Sequence, residues 1–590
     1  MKSKDSLQRT KILLFCSLLI ITSVSFYPSL FNGFFCWDDK DVPLAPFVRQ
    51  LTFENLGKYF STFHAGLYHP LTTLSFAVDY SLGGGSPFPF HMTNFVLHLF
   101  NTCLLFILIK KLFNNFSMAF LVALLSGVHP LHVEAVAWIT SRKDLLYVFF
   151  FLGSLISYTL YIDNENKKGF YFLSLIFLLF SCLSKIQAAI LPVALFLVDY
   201  IRTRKLISGK SIREKIPFFV IALIFGIINI IAQKGYGYID YKAPYTTMER
   251  LTIFYYGFAQ YILRILVPWN PSVFYPFPFH PGERLSFIYY LYPLILLLFM
   301  AGIAYFVIRS KRTLFFGLSF FILCIFLVLV INNYRETVIT DRYTYLGSAG
   351  IFIFISGLGL KAYQKRKKIK WILVSAGLIY ILVCSFLTFK QNKLWHSPSS
   401  LIGSALTRYP DSPILLNTSG SLAIDSGSYA EALAFLDRAI LVNKNYPDAW
   451  YQKGIAENRL ANYSLALDDF SHAIMLNPVY IDAYFGRGNV YRSTGEYQKA
   501  LEDYSMVLIM NRNYFGAWQN RAIVKINMND YEGAINDLNQ AIVLDPEFGA
   551  SFYLRGMAEI GLGQDGCKDL HKALMLNYKP AQKALDNYCR

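Results

Sequence analysis

Long apolar runs alternate with short polar segments over the first two thirds of the chain. A helix needs about twenty apolar residues to cross a bilayer, and runs of that kind recur up to residue 390. The sequence therefore predicts about eleven membrane spans, near residues 12–31, 93–112, 117–135, 144–162, 169–184, 186–201, 216–233, 286–308, 313–332, 345–360 and 371–390. A further apolar stretch, 251–268, is interrupted by Gln260 and Arg264, and we interpret it as an interfacial or re-entrant helix.

The last third of the chain carries a repeat of 34 residues. Four sets of residues keep this interval: Trp450, Tyr484, Trp518 and Phe552; Tyr429, Tyr463, Tyr497 and Tyr531; Ala432, Ala466, Ala500 and Ala534; and Gly420, Gly454, Gly488 and Gly556, with Ala522 in the gap. This pattern is typical of the tetratricopeptide repeat (TPR), a helix pair that buries its apolar face only by stacking on its neighbours. The last unit departs from the pattern at Gly566, Cys567 and Lys568, which a polar capping helix would explain.

Together the two patterns predict an all-α protein of two parts. A polytopic helical membrane domain over 1–392 is followed by an α-solenoid of about five TPR units over 393–590. Cys567 and Cys589 lie in the terminal unit, and could form a disulfide if that part of the chain faces an oxidising compartment.

The net charge of +17 is not spread as a nucleic-acid binder would need. Its basic residues cluster in short segments between the apolar runs, whereas a duplex binder presents one continuous basic face. Clusters of this kind mark cytoplasmic loops, so the N-terminus is predicted to be cytoplasmic. An odd number of spans then places the TPR array outside the cytoplasm, in the periplasm, the exterior or the ER lumen. The first apolar run follows a basic start but lacks a small-x-small cleavage site, so we expect a retained anchor.

The predicted loop after the first span, residues 32–92 (loop one), begins with acidic residues. Asp38 and Asp39 stand side by side, and Asp41 completes an acidic pair with Asp39 of the kind that binds metal in nucleotide-sugar enzymes. That interpretation fails on location, since nucleotide sugars are cytoplasmic and the loop is predicted to be outside. The alternatives are a solvated loop, or Asp38 as a helix N-cap. Loop one also contains His69 and His91.

A second predicted outer loop, residues 132–143 (loop two), and its flanks are dense in ionisable residues, which at membrane depth usually line a cavity. The candidates lining a cavity are His129, His132, Glu134 and Asp144, joined by Asp341 from a later loop. His129, His132 and Glu134 have loose metal-ligand spacing, but a zinc site needs a firmer ligand set, so no metal site is predicted. Arg142 and Lys143 suit an anionic phosphate better.

These motifs in this order resemble a known family. They are Trp37-Asp38-Asp39, Tyr68-His69-Pro70-Leu71, His91-Met92-Thr93-Asn94, the stretch from His129 to Trp138, Leu183-Ser184-Lys185 and Asp341 to Leu346, followed by TPRs. The combination is similar to the transmembrane and tetratricopeptide repeat-containing O-mannosyltransferase family and covers nearly the whole chain. The resemblance implies a GT-C-like membrane enzyme that uses a lipid-phosphate sugar donor. It also leads us to expect an acidic residue just after Lys185, where Ile186 and Gln187 stand instead.

The resemblance further implies that an acid of loop one, Asp38 or Asp39, is the catalytic base, without deciding which. A polyprenyl phosphate is already a competent leaving group and needs a cation, so Arg142, Lys143 and Arg342 are the candidate phosphate ligands. The acceptor would be a Ser or Thr hydroxyl of an extracytoplasmic protein, held in the TPR groove. The candidate groove residues are Asn458, Asn489, Arg492 and Gln519. No cofactor is expected besides the lipid-linked donor.

Two other classes of function compete with the enzyme. One is a non-catalytic membrane scaffold whose TPRs recruit envelope or secretory proteins. The other is a transporter, which the clustering of polar residues in outer loops disfavours, because transporter sites lie near mid-membrane on broken helices.

Overall fold

The computed structural model describes residues 2–35, 37–63, 66–165, 167–206, 208–235, 245–277, 279, 284–309, 311–331, 337–365 and 367–589. Parts of the predicted loops 234–285 and 333–344 therefore lie outside the described residues, as does the side chain of Asp41. The chain divides into two compact units, Met1–Ala405 and Leu406–Arg590. We call them the membrane unit and the TPR unit. The predicted boundary near residue 392 stays a prediction.

The membrane unit is helical throughout its described residues. Its helices are α1 (Lys2–Phe26), α2 (Asp38–Asp41), α3 (Phe53–Ser61), α4 (Pro70–Gly83), α5 (Pro87–Phe113), α6 (Phe116–Val128), α7 (Val133–Ala137), α8 (Arg142–Asp163), α9 (Lys168–Ser184), α10 (Leu191–Ile201), α11 (Gly209–Gly235), α12 (Thr247–Leu266), α13 (Tyr292–Ile308), α14 (Arg312–Ile331), α15 (Thr344–Lys365) and α16 (Lys370–Leu394). Helix α17 (Pro398–Arg408) follows at the boundary between the units.

Eight helical segments among the described residues are long and apolar enough to cross a membrane, namely Gln8–Phe31, Pro87–Phe113, Ile139–Asp163, Gly209–Lys234, Phe287–Ile308, Arg312–Leu329, Asp341–Lys365 and Lys370–Leu394. The predicted span near 117–135 is a pair of helical segments bent by 56°, and the predicted spans at 169–184 and 186–201 are shorter apolar helices. The prediction of an all-helical polytopic domain is confirmed, whereas the number of spans is eight or nine by length and composition.

Proline explains the bend between α6 and α7. Pro130 cannot donate a backbone hydrogen bond, and its ring pushes the preceding residue out of helical geometry. His129 accordingly has ψ 129°, in the extended region. The break carries the segment from Pro130 to Ser141 across the end of the bundle, where it forms short helical turns. The candidates His132 and Glu134 lie on these turns, and Arg142, Lys143 and Asp144 begin α8.

Helix α12 covers the stretch that we interpreted as interfacial or re-entrant. It starts with a capping box in which Thr246 and Glu249 bond each other's backbone N–H groups. Its sequence is amphipathic, with Leu251 and Leu263 exposed and Phe258 buried. It does not qualify as a membrane span among the described helices, and its relation to the bilayer stays a prediction.

The TPR unit consists of paired helices with the predicted period. The pairs are α18 (Pro413–Asp425) and α19 (Tyr429–Val442), α20 (Pro447–Arg459) and α21 (Tyr463–Leu476), α22 (Ile481–Thr494) and α23 (Tyr497–Met510), α24 (Phe515–Asn527) and α25 (Tyr531–Leu544), and α26 (Gly549–Gly561) and α27 (Cys567–Met575). The first helix of each pair is helix A and the second is helix B. A side chain at Gly454 would lie 2.9 Å from the Phe470 ring, so the small residue is what lets helix A meet helix B.

A ladder of ion pairs runs through the array with the same period. Arg487 of helix A bonds both carboxylate oxygens of Asp503 in its own repeat, at 2.9 and 2.8 Å, and Ser471 of the preceding repeat at 3.0 Å. Arg521 makes the equivalent bonds to Asp537 and Ser505. Each arginine therefore ties three neighbouring helices together.

The last repeat ends the solenoid differently. Its helix B begins at Cys567, two residues later than the period requires, and a further helix, α28 (Pro580–Tyr588), covers it. Leu585 of α28 packs on Leu570. Cys567 and Cys589 form a disulfide that holds the terminal helix in place.

Candidate active site

Asp39 joins loop one to loop two. One carboxylate oxygen accepts a hydrogen bond from the Phe35 backbone N–H at 2.9 Å. The other accepts from the Thr140 backbone N–H at 2.9 Å and also from the Thr140 hydroxyl. The side chain is 1% exposed, so all of its polar contacts lie within the protein. This carboxylate fixes the geometry of the loop that follows the first helix.

Burial raises the pKa of Asp39 to about 6, against the opposing effect of its hydrogen bonds from Thr140 and Phe35. The neighbouring charge of Asp38 adds to the rise. Asp39 therefore gains its proton at a pH well above that of an exposed aspartate.

Asp38 has a different environment from its neighbour. Its side chain is 45% exposed, and one carboxylate oxygen lies 3.8 Å from the Lys143 ammonium at the start of α8. Adjacent residues on a short helix such as α2 point in different directions, so one acid is buried while the other faces the opening. Of the two acids, Asp38 is the one that an incoming molecule can reach.

Lys143, which lies next to Asp38, is within electrostatic range of two further cations from separate segments. Lys143 interacts electrostatically with Lys185 and Arg342, and we call these three residues the cation cluster. Each has an acidic neighbour. Lys185 lies 2.5 Å from Asp144, and Arg342 forms an ion pair with Glu134, whose other oxygen accepts from the Arg342 backbone N–H at 3.0 Å.

Aromatic rings enclose this cluster on one side. The Arg342 guanidinium lies 4.9 Å from the centroid of the Trp138 ring. Trp138 stacks on Trp395 at 6.4 Å, and Trp37 contacts Trp138 edge-on at 5.6 Å. The two loops and the segment after α16 are thereby packed together around the cations. We call Trp37, Trp138 and Trp395 the aromatic wall; Trp138 and Trp395 are buried, so these rings hold the segments together beside Arg342.

The structure places Arg142 away from the cation cluster. Its guanidinium is fully buried and forms an ion pair with Asp79. It also donates to Asn94 at 2.8 Å and to the Phe90 carbonyl at 2.6 Å. These contacts tie α8 to α4 and α5. Arg142 and Lys143 are neighbours in sequence and both are buried, but Arg142 pairs with Asp79 whereas Lys143 lies beside the half-exposed Asp38.

The four predicted histidines also have partners inside the protein. His91 lies 3.3 Å from the Gly33 carbonyl oxygen, and His69 precedes α4 with its ring 3.4 Å from the Thr73 hydroxyl. His129 lies 3.1 Å from the Ile265 carbonyl oxygen. His132 lies between the Ser126 carbonyl oxygen, at 2.7 Å, and the Ser348 hydroxyl, at 3.0 Å. In these positions the histidines connect helices.

Asp341 is likewise engaged, since it accepts a hydrogen bond from the Tyr275 hydroxyl at 3.0 Å. Of the predicted site residues, the structure thus brings together Asp38, Lys143, Asp144, Glu134 and Arg342, with Asp39 holding the loop. Among the described residues no group of three His, Cys, Asp or Glu side chains is arranged to hold a metal ion.

Sequence reasoning missed three residues of the site. Thr140 is the partner of Asp39, Trp395 completes the aromatic wall, and Lys185 is one of the three cations. Because Ile186 and Gln187 stand where the family resemblance leads us to expect an acid, the sequence argued against a charge pair for Lys185, whereas the structure pairs it with Asp144, 41 residues earlier. The motif containing Lys185 was visible in the sequence, but the fold alone brings the two charges together.

The TPR unit contains a separate groove of about 410 Å³. Its lining residues are Tyr451, Ile455, Asn458, Arg459, Phe470, Asp482, Phe485, Gly486, Asn489, Arg492, Ser493 and Asn520. Three of the four predicted groove residues line it, and Gln519 does not.

Comparison with known proteins bears on both units. Two family models described as tetratricopeptide repeat match residues 481–514 and 515–548. A protein from Caenorhabditis elegans named protein O-mannosyl-transferase F38B6.6 is 26% identical over 455 residues, which are 73% of this chain and 63% of that protein. Human protein O-mannosyl-transferase TMTC1 is 41% identical over 103 residues, 17% of this chain and 12% of that protein. Mouse TMTC2 is 32% identical over 158 residues, 25% of this chain and 18% of that protein.

The chain is related to the TMTC protein O-mannosyl-transferases. The resemblance inferred from the motifs is therefore confirmed, as are the TPRs. The chain spans less than two thirds of the length of each of these TMTC relatives.

Solved structures of TPR proteins are similar to part of this chain. YrrB, a TPR protein, is 20% identical, with a TM-score of 0.29, over 31% of this chain and 97% of that one. MamA from Desulfovibrio magneticus RS-1 is 23% identical, with a TM-score of 0.27, over 28% of this chain and 96% of that one.

Proposed function

We propose that this protein is a membrane glycosyltransferase that moves a mannose-like sugar from a polyprenyl phosphate donor to Ser or Thr hydroxyls of extracytoplasmic proteins. The observation that carries the proposal is the half-exposed carboxylate of Asp38 beside the cation cluster. The relatives are named protein O-mannosyl-transferases, which suggests the class of reaction. The donor and the acceptor are inferred from the chemistry of the site.

Asp38 is the base in this proposal. A single displacement needs a carboxylate on the acceptor side, where it can accept the hydroxyl proton as the oxygen attacks. The acceptor oxygen bonds to the anomeric carbon while the bond from that carbon to the phosphate oxygen breaks. The polyprenyl phosphate leaves with the electron pair, and the anomeric centre inverts. Asp39 has no open face for this role, because its oxygens already accept bonds from Phe35 and Thr140.

The cation cluster would hold the donor phosphate. Charge builds on the leaving phosphate as the glycosidic bond breaks, and fixed cations stabilise that charge most when they are already in place. Lys143 and Arg342 were candidates for this role, and Lys185 joins them by position. Their acidic partners Asp144 and Glu134 orient the cations without occupying all of their donors. Arg142 would support the packing of α8 on α4 and α5, because its guanidinium already contacts Asp79, Asn94 and Phe90.

An apolar cavity nearby suits the isoprenoid chain. It has a volume of about 420 Å³ and lies between the segment after α1 and the end of α16, lined by Tyr27, Pro28, Phe31, Asn32, Phe389, Lys393 and His396. It is continuous in sequence with the site, because Trp395 of the aromatic wall directly precedes His396. A chain anchored there would bring its phosphate to the cation cluster. No cofactor other than the lipid-linked donor enters the proposal.

The proposed orientation places the N-terminus in the cytoplasm and the TPR unit outside it, where acceptor proteins pass. The basic segments between apolar runs support it. Reporter fusions beyond Leu394 test it, since a reporter active only in the cytoplasm should be silent there. An active cytoplasmic reporter at that position would reverse the topology.

Transfer of radiolabelled mannose from synthetic polyprenyl phosphate mannose to peptide acceptors tests the activity itself. Asp38→Asn keeps the side-chain shape and removes the base, so turnover should fall by about a hundredfold or more, while donor binding persists. Glu54→Gln is the matched control, because Glu54 is an exposed acid of the same loop, paired only with Lys58. Normal transfer by Asp38→Asn would remove the proposed base.

The second candidate is a non-catalytic scaffold that recruits proteins through the TPRs, and the TPR groove favours it as much as it favours the enzyme. The same assay separates the two. A scaffold would show no transfer in the unmodified protein with any polyprenyl phosphate sugar, while acceptor-class proteins still bound to it.

A further inference from the structure

The third helix pair of the TPR unit, α22 and α23, departs from the pattern of its neighbours where the groove lies. Residue 486 is Gly, whereas the equivalent positions 34 residues away hold Gln452 and Asn520. A side chain at Gly486 would lie 2.8 Å from the Phe470 ring. The absence of a side chain lets the buried Phe470 ring pack directly against the α22 backbone behind the groove.

Two further positions of α22 are polar where the following repeats are apolar. Asn489 corresponds to Ile523 and Met557, and Arg492 corresponds to Ile526 and Ile560. In the following repeats Ile526, Met557 and Ile560 pack against the cores of their helix pairs, whereas the preceding repeat has Asn458 at the position of Arg492. Here the same face of helix A presents an amide and a guanidinium to the groove. A change from packing to polar residues at neighbouring positions of one repeat indicates a binding site.

Arg492 differs from the arginines of the ion-pair ladder. Arg487, Arg521 and Arg555 each bond an aspartate of the ladder. Arg492 makes no ion pair within the described part of the chain; its guanidinium hydrogen-bonds the Tyr504 hydroxyl, but its Nε is buried without a hydrogen-bond partner. A buried donor left unpaired is costly, so a ligand that accepts from it would be favoured.

The surrounding groups define the chemistry of that ligand. Asn489 accepts from the Tyr504 hydroxyl and from Asn520, each at 2.8 Å, so its carbonyl oxygen is held and its amide N–H groups point elsewhere. Arg459 adds a second positive charge to the groove lining. The acid of the groove, Asp482, accepts from Tyr514 at 3.1 Å. The groove therefore offers positive charge and amide donors above an aromatic floor.

We propose that this groove selects an extended acceptor segment by an acidic side chain, whose carboxylate pairs with Arg492. The inference rests on the proposed function in one respect, namely that the segment bound there belongs to a protein awaiting glycosylation. A bidentate bond from a guanidinium to a carboxylate is geometrically specific, and it is strengthened when the pair is partly buried.

Binding of synthetic peptides to the full chain in detergent tests the inference without sugar transfer. The probes are fluorescent twelve-residue peptides rich in Ser and Thr, in which a single Glu is moved through every position, each with a matched Gln peptide. Fluorescence anisotropy gives the affinities. At one position or more, the Glu peptide should bind about tenfold tighter than its Gln partner, the scale of one charge-assisted hydrogen-bonded pair.

Arg492→Gln should abolish that preference, and Arg492→Glu should transfer it to a Lys peptide. The double variant Asn489→Ile and Arg492→Ile copies repeat four at Ile523 and Ile526, so it is expected to fold and to lose the preference. Arg512→Gln, an exposed arginine of the array outside the groove, is the control for nonspecific attraction to a basic protein and should leave the preference intact.

Equal affinity of Glu and Gln peptides at every position would overturn the inference. So would a loss of the Glu preference in the Arg512→Gln variant as large as the loss in Arg492→Gln. Failure of the proposed function is distinguishable, because it would appear as absent sugar transfer with the Glu preference intact. In that case the groove would still recognise acidic segments, as a scaffold would need.

Discussion

Lys453 makes the weakest ion pair to its own repeat in the ion-pair ladder of the TPR unit. Replacing Lys453 by arginine tests how the ladder stabilises the array. It occupies the position of Arg487, Arg521 and Arg555 in the later repeats. Its ammonium lies 2.9 Å from Asp437 of the preceding repeat but 4.0 Å from Asp469 of its own. One oxygen of Asp469 is buried without a hydrogen-bond partner. An ammonium is a point donor and cannot bridge both helices as a guanidinium does.

The consequence for Asp469 is an acid that resists ionisation. Burial raises its pKa to about 7, and Lys453 offsets this only in part. A carboxyl whose pKa is raised in the folded state lowers stability as pH rises from its unfolded pKa to its folded pKa. The array should therefore lose stability between about pH 4 and 7 through Asp469. Above pH 7 the loss is complete and constant.

Lys453→Arg should add one or two charge-assisted hydrogen bonds to Asp469, worth about 1–2 kcal/mol after desolvation. That free energy corresponds to a roughly five- to thirtyfold smaller equilibrium constant for local opening, and hence to slower hydrogen exchange. Hydrogen exchange of peptides from α20 and α21 in the full chain measures it at pH 5 and pH 8. Because arginine also lowers the pKa of Asp469, the gain should be larger at pH 8.

The reverse change, Arg487→Lys, should weaken protection of α22 and α23 by a similar amount. Lys444→Arg is the control for the substitution itself, because Lys444 is an exposed residue of the loop before α20 and has no ion pair in the described part of the chain. If Lys453→Arg gives no more protection than Lys444→Arg, or if its gain is the same at both pH values, the argument from the unpaired oxygen is wrong.

Three further predictions concern the membrane unit. Asp79→Asn should destabilise the membrane unit by about 3–5 kcal/mol, because the buried Arg142 guanidinium loses its counter-ion. Thermal unfolding should show this loss of stability. A drop in donor affinity at unchanged stability would instead make Arg142 a phosphate ligand. The raised pKa of Asp39 should make the unmodified protein lose stability as pH rises from about 4 to 6, and Asp39→Asn should remove that loss. Unfolding curves at pH 4.5 and 7 measure the difference. Identical pH dependence in both proteins would contradict the prediction. Lys185→Met should weaken binding of a polyprenyl phosphate by about tenfold. Lys168→Met, at the other end of α9, should leave that binding unchanged. Equal effects of the two substitutions would exclude a specific role of Lys185 in phosphate binding.

Some features of this protein follow from local pattern and were predictable. The apolar runs predicted the membrane helices, since the bilayer demands a minimum apolar length wherever a helix crosses it. The 34-residue interval predicted the TPR pairs, because each repeat must present the same small and aromatic residues to its neighbour. The bend at Pro130 was not foreseen, although the proline that causes it is visible, because a proline can end, kink or simply begin a helix.

The candidate site was predictable only as a set of residue types. The sequence located the acids and cations in loop one, in loop two and near Arg342, but it did not separate Arg142 from Lys143. On a helix, adjacent residues point about 100° apart, so one faces Asp79 in the interior while the other faces Asp38. Which direction is interior depends on how α8 packs against α4 and α5.

By itself, then, the amino-acid sequence determined the helices, the repeat and the family resemblance, because each depends on residues that are close along the chain. Only the tertiary structure decided that Asp39 is buried against Thr140 while Asp38 is accessible, that Lys185 pairs with Asp144, and that Arg492 is left without a carboxylate. These outcomes depend on contacts between segments 41 to 101 residues apart, or on the absence of such contacts. The charge state and availability of a side chain are set by its neighbours in space, which no local pattern specifies.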